Sequence, residues 1–177
     1  VVALVVMCVG AFVYWQLIMA EGAYLGRRIV TLLYDRFATR YDAVKQFSPI
    51  SDAVRLVAPV MLFRRDALVL DVATGTGRLP AALLSQPGFA GSVDALDASG
   101  AMLDQARRKL AAYGERARFW QHDALSLPFP DAHFDVVACL EALEFMPDWR
   151  LAVAEMLRVL KPGGQLLISN RIGPDAW

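Results

Sequence analysis

DVATGTGRLP (71–80) follows directly on the apolar run ALVL (67–70). An acidic residue closes a run suited to a buried strand, and the next turn is then given to small residues and two glycines, which add nothing to a core. Gly75 and Gly77 permit positive φ and let backbone approach a ligand closely, while Ala73 and Thr74 leave room beside it. Taken alone, the stretch is no more than a strand-to-helix turn, because an isolated G-x-G has little specificity. Its surroundings decide.

Downstream, strand and helix patterns alternate. ALVLDVA (67–73) reads as a buried strand, RLPAALLSQ (78–86) as a helix and SVDALDAS (92–99) as a second strand. GAMLDQARRKLAAYG (100–114) is a helix with Met102, Leu103, Ala106 and Leu110 on one face and Gly114 as its C-terminal stop. RARFWQHD (116–123) and HFDVVACLE (133–141) are the third and fourth strands. DWRLAVAEMLRVL (148–160) is a helix and GGQLLISN (163–170) a fifth strand. Because crossovers between parallel strands are right-handed, the alternation predicts an α/β fold with a doubly wound, mostly parallel sheet.

Ligands of such sheets sit at the carboxyl ends of the strands, where the winding reverses. The opening turn occupies that place. A dinucleotide site would want a third glycine three residues after Gly77, and Pro80 stands there instead. Asp97 ends the second strand 20 residues after Gly77. That position suits a carboxylate accepting from both hydroxyls of a ribose, with or without phosphates attached.

Four segments in order, Asp71 through Gly77, LDASGAML (96–103), HDALSLPFPDAHFDVV (122–137) and EMLRVLKPGG (155–164), resemble the successive motifs of class I S-adenosylmethionine-dependent methyltransferases, over about residues 65 to 170. The resemblance implies a Rossmann-like methyltransferase fold with S-adenosyl-L-methionine as cofactor. It implies that Asp71 orients the methionine amino group, that backbone at Ala73, Gly75 and Gly77 passes close to the cofactor, and that Asp97 holds the ribose. Ala98 and Met102 would line the adenine pocket, Asp123 would accept from the exocyclic amine, the backbone of Ala124 would read the ring edge and Leu140 would face the methionine moiety. Ala73 departs from the glycine that many relatives carry. Relatives also continue past the fifth strand with a helix and two more strands, so the C-terminal strands are expected to be missing here, either because the chain is a fragment or because it is a reduced protein whose fifth strand is an edge needing cover.

Methyl transfer from a sulfonium is an in-line displacement that chiefly needs alignment and exclusion of water. No catalytic residue is assigned, although an oxygen acceptor would gain from a base and His122, Glu141 and Glu144 are candidates. CLEALEFMPDW (139–149) resembles the E-x-x-E-H element of some quinone O-methyltransferases, with Phe145 where the histidine would stand. No metal site is therefore expected, and Glu141 and Glu144 read as carboxylates at a helix start. YDRFATRYD (34–42) resembles the entrance helix of many small-molecule and quinone methyltransferases, with Tyr41 closing on the pocket.

The N-terminal third is different in kind. VVALVVMCVGAFVYWQLIMA (1–20) carries no charge, and a helix of about 20 residues just crosses a hydrocarbon layer of roughly 30 Å. Tyr14 and Trp15 near its end, with Arg27 and Arg28 beyond, favour a single-pass membrane anchor with the rest of the chain cytoplasmic. A cleaved signal peptide, a buried core helix and an interfacial helix are the competing readings. From 22 to 47 an amphipathic, basic-leaning helix follows, which could rest on an anionic leaflet or pack on its own domain. SPISD (48–52) breaks it and offers Ser51 as an N-cap.

The 177 residues carry 18 Lys+Arg against 18 Asp+Glu, so no basic field points to nucleic acid. Cys8 and Cys139, each in an apolar run, read as two buried thiols. The expected organisation is a membrane helix over 1–20, linker and entrance helices over 21–64, and a cofactor-binding methyltransferase domain over 65–177. The expected function is methylation of a small, lipophilic acceptor at the cytoplasmic membrane face. The alternative is a membrane-tethered subunit that binds S-adenosylmethionine without turnover.

Overall fold

The computed structural model describes residues 2–14, 26–45 and 47–170. Five strands form one sheet in the order β3-β2-β1-β4-β5: β1 (Leu68–Val72), β2 (Ser92–Asp97), β3 (Ala117–Gln121), β4 (Phe134–Leu140) and β5 (Leu160–Ser169). All four pairings are parallel. The central strands are apolar because both their faces are covered: Val69, Leu70 and Val72 of β1 and Val136 through Cys139 of β4 are wholly buried. The winding reverses between β1 and β4, so the sequence order β1, β2, β3 runs one way from the centre and β4, β5 the other.

Helices α6 (Arg78–Leu84) and α7 (Gly100–Leu110) cover one face together with α5 (Ala58–Phe63), packing Val60, Leu79, Leu83, Ala106 and Leu110 on Val69, Val93 and Val136. On the other face, α8 (Trp149–Val159) buries Ala152, Met156 and Val159 against Leu70, Val72 and Val137. β5 begins at Leu160, three residues before the predicted start, because Leu160 pairs with Phe134 and the ladder resumes at Gln165 and Val136 after a register shift that leaves Lys161 through Gly164 unpaired. The helix expected over 100–114 ends as α7 at Leu110 and continues as a 3₁₀ turn over Ala111–Arg116.

Upstream lie α1 (Val2–Tyr14), α2 (Arg27–Phe37), α3 (Tyr41–Lys45) and α4 (Pro49–Asp52). The basic-leaning helix is interrupted by a 3₁₀ turn, Ala38–Arg40. Ser48, not Ser51, caps α4, accepting the Ser51 N–H with Pro49 at the first helical position, where a missing N–H costs nothing. A π-helical turn, Ala53–Val57, joins α4 to α5 just ahead of Pro59, whose ring and absent N–H would break a regular α ladder.

The membrane span expected over 1–20 is not found among the described residues. The helix there covers 13 residues, about 20 Å of rise, and no described helix is long and apolar enough to cross a membrane. Residues 15–20 of that stretch lie outside the described residues. Cys139 is buried as expected, but Cys8 is exposed on α1, where its apolar neighbours Val5, Val9 and Phe12 are exposed too.

Candidate functional site at the strand ends

The turn after β1 is built on three left-handed residues, Ala73 at φ 56°, Gly75 at φ 55° and Gly77 at φ 79°. The two glycines serve different ends. A Cβ on Gly75 would meet only the Tyr41 ring edge at 4.0 Å, whereas one on Gly77 would stand 3.0 Å from Leu110 and 3.2 Å from Ala106. Gly75 therefore keeps a cleft open, and Gly77 lets α6 start against α7. The Thr74 N–H donates to the Leu96 carbonyl at 2.9 Å and its hydroxyl to Asp71 at 2.6 Å, which locks the turn to both strands.

Asp97 knits this turn to the next. Its Oδ2 accepts the Gly75 N–H and its Oδ1 the Ser99 N–H, both at 2.8 Å. Burial pushes the carboxyl above the usual range against the pull of backbone donors from Ser99, Gly75 and Ala98. Asp71 lies deeper, 3% exposed, and burial carries it up to about 7 although the Thr74 hydroxyl favours the charged form.

Two adjoining clefts open here. The larger is lined by Asp97, Ala98, Asp123 and Ala124 together with Tyr34, Phe145 and Met146. The smaller holds Asp71, Thr74, Thr76 and Arg78. Tyr41, Ala73, Gly75, Leu140 and Glu141 line both. Of the sequence-predicted residues, Asp71, Ala73, Gly75, Asp97, Ala98, Asp123, Ala124 and Leu140 thus meet at one place, while Gly77 and Met102 line neither cleft. Met102 is 1% exposed, and its N–H donates to the Ser99 hydroxyl that caps α7. Asp123 accepts the Leu125 N–H at 3.1 Å, holding the turn after β3.

Glu141 and Glu144 do not stand at the start of an α-helix. A 3₁₀ turn, Leu143–Phe145, follows β4, and Asp148 caps α8 by accepting the Leu151 N–H. Glu141 has φ 53° and pairs with Arg78 at 3.1 Å; Glu144 is exposed and outside both clefts. His122 lines the larger cleft. Among the described residues no three His, Cys, Asp or Glu side chains gather closely enough to hold a metal ion.

Sequence reasoning missed how the N-terminal segment is fastened over these clefts. Asp35 accepts the Ser99 hydroxyl at 2.5 Å. Asp42 accepts the Thr76 hydroxyl at 2.5 Å and pairs with Lys109 at 2.6 Å. Asp52 receives Arg78 through Nη2 at 2.6 Å and Nε at 3.1 Å, and the same guanidinium lies 4.1 Å from the Phe47 ring centre. Tyr34 meets Tyr41 and Phe145, each at 6.0 Å between ring centres. The available signal was the spacing of Asp35 and Asp42, two helical turns apart on a basic-leaning helix, which places both acids on one face.

Residues 69–164 match the family described as a methyltransferase domain. A demethylmenaquinone methyltransferase of Thermus thermophilus is 35% identical over 139 residues, 77% of this chain and 63% of that protein. A ubiquinone/menaquinone biosynthesis C-methyltransferase of Shewanella piezotolerans is 44% identical over 102 residues, 56% of this chain and 41% of that one. The crystal structure of a putative methyltransferase from Bacillus halodurans superposes with a TM-score of 0.61 at 34% identity, covering 70% of this chain and 52% of that one. The chain thus spans less than two thirds of these relatives' length, and within that span it belongs to the S-adenosylmethionine-dependent methyltransferase family.

Proposed function

We propose that the chain is the cofactor-binding part of a methyltransferase acting on a lipophilic acceptor of the quinone-precursor kind. The observation that carries this is Asp97, whose carboxylate is fixed by the Gly75 and Ser99 N–H groups at the wall of the larger cleft. A carboxylate has about four acceptor directions, so one so held still accepts from a vicinal diol. The residues lining the clefts fit S-adenosylmethionine in chemistry. Ala98, Asp123 and Ala124 offer a base-sized slot beside Asp97, and Asp71 places a buried carboxyl in the smaller cleft, where an ammonium group would be held. When bound, the cofactor supplies a sulfonium methyl group for in-line displacement.

The chain's own residues align and dry that reaction. Leu140 and Tyr41 form the wall shared by both clefts, and Tyr34, Phe145 and Met146 give the larger cleft an apolar side suited to a flat hydrophobic acceptor. The names of the two bacterial relatives point to quinone methylation, and the uncharged stretch at 1–20 supports a place at a membrane face, where such acceptors dissolve. Calorimetry with S-adenosylhomocysteine, followed by label transfer from S-adenosylmethionine to demethylated quinols in lipid extract, tests the reading. Uptake and transfer are expected; no uptake by folded protein overturns the cofactor assignment, and uptake without transfer to any extract component overturns the enzymatic one.

A further inference from the structure

Arg78 is the one cation lining the smaller cleft among the described residues, and its two edges are bound very differently. Nε and Nη2 grip Asp52, which is 7% exposed, and the guanidinium plane rests on Phe47. That edge is a fixed mount. Nη1 pairs with Glu141 alone at 3.1 Å, across a side chain that is 32% exposed and lines both clefts. Glu141 is also one of three non-glycine residues held at positive φ among the described residues. Such backbone costs about 1–3 kcal/mol and persists where surrounding structure enforces it, often at ligand clamps.

Resting on the reading of the smaller cleft as the site of the cofactor's amino-acid end, we infer that the Arg78–Glu141 pair is an exchangeable contact. The incoming carboxylate takes Nη1, and Glu141 is released toward the larger cleft. Asp71, which lines the same cleft, serves the ammonium group. Arg78 stays mounted on Asp52 throughout, so its position does not depend on which carboxylate it holds. The consequence is order. Cofactor binding frees the carboxylate of Glu141 to face the acceptor space, so the acceptor site is completed only after the cofactor is in place. A carboxylate displaced from an arginine has to be replaced by one of equal charge, since leaving a partly buried guanidinium unmatched is costly.

The test compares two ligands that differ only at the amino-acid end, S-adenosylhomocysteine and 5′-methylthioadenosine, by calorimetry on the full chain. Glu141→Gln removes the competing charge and leaves the Arg78–Asp52 mount. It is expected to strengthen S-adenosylhomocysteine binding at least twofold with methylthioadenosine unchanged. Arg78→Met is expected to weaken S-adenosylhomocysteine by roughly tenfold or more, the usual loss for a charge-assisted hydrogen bond, with methylthioadenosine again within twofold. Arg78→Lys should restore part of the loss. Unchanged or weaker S-adenosylhomocysteine binding by Glu141→Gln overturns the exchange, as does an equal loss of both ligands in Arg78→Met. If Arg78→Met does not fold, Glu141→Gln decides alone. Failure of the wild-type chain to bind either ligand would instead overturn the cofactor reading beneath it.

Discussion

Asp97 and Gly75 join the ends of β2 and β1 through one hydrogen bond, Gly75 N–H to Asp97 Oδ2 at 2.8 Å. The same carboxylate therefore shapes the turn that it shares a cleft with. Asp97→Ala removes both the acceptors for a ribose and the tie that holds Gly75 in place. Two lost charge-assisted bonds weaken a nucleoside ligand on the order of a hundredfold. Calorimetry with S-adenosylhomocysteine should show this loss. Asp97→Asn, which retains one acceptor oxygen, should lose less, and undiminished uptake by Asp97→Ala would remove Asp97 from the site.

Gly75→Ala and Gly77→Ala separate binding from stability. Both sites have positive φ, which costs an alanine about 1–2 kcal/mol. At Gly75 the added methyl finds open space up to the Tyr41 ring, so the expected result is a fold weakened by about that amount and a ligand excluded from its closest approach. At Gly77 the methyl also strikes Leu110 and Ala106, and overpacking adds about 1–3 kcal/mol. Denaturant titration should rank Gly77→Ala well below Gly75→Ala in stability, and ligand titration should rank the survivors the other way.

Ala73 stands at φ 56°, a left-handed backbone that glycine adopts without strain. Ala73→Gly relieves about 1–2 kcal/mol of strain and returns about 0.4–1 kcal/mol through the freer unfolded chain. The relief wins. A gain of roughly 0.5–1 kcal/mol in a urea titration is the expected outcome.

The parts legible in the sequence were those set by local pattern. β1 and β4 are buried on both faces, so all their residues are apolar except one hydrogen-bonded acid in each, Asp71 and Asp135, and the strands stand within two residues of the predicted bounds. Eight of the ten proposed cofactor contacts line one of the two clefts, because a parallel sheet carries successive strand ends to one edge. Gly77 and Met102 were assigned to the ligand because flexibility and a position after β2 do not reveal which neighbour fills the space; for both it is α7 or the core. The partners of the fastening acids were illegible for another reason. Asp35, Asp42 and Asp52 meet partners 64, 34 and 26 residues away, separations that no periodicity encodes.

Asp71 predicts a pH dependence. Its carboxyl is raised by burial, with the Asp97 charge adding to this and the Thr74 hydroxyl and Arg78 opposing, to about 7. An acid held above its unfolded value near 4 binds its proton more tightly in the fold, so its contribution to stability is complete below about pH 4 and is lost as pH rises to about 7. Asp71→Asn mimics the protonated form and should remove this loss, flattening the stability curve between pH 4 and 7 relative to wild type in chemical denaturation. A ligand ammonium favours the ionised form. S-adenosylhomocysteine binding at pH 6 should then release close to one proton in the wild type, read from calorimetry in buffers of different ionisation enthalpy, and none from this site in Asp71→Asn.

The three fastening carboxylates should not be equal in energy. Asp42 and Lys109 have side chains 46% and 32% exposed, so solvent screens their 2.6 Å contact, and a double-mutant cycle on Asp42→Asn and Lys109→Met should give a coupling of about 0.2–1 kcal/mol that fades with salt. Asp52 and Arg78 are 10% and 22% exposed, and the pair is bidentate. Removing Asp52 leaves a guanidinium next to Phe47 with only its Glu141 contact, a loss that costs about 3–5 kcal/mol in fully buried pairs. The partial exposure of Arg78 scales that down, and Glu141 retains one edge. Asp52→Asn should therefore destabilise the chain by roughly 2 kcal/mol, several times the Asp42 effect and insensitive to salt. If the two substitutions proved equal, or if the Asp52 effect vanished in high salt, the contact would be an ordinary surface pair and the mount for Arg78 would be lost with it.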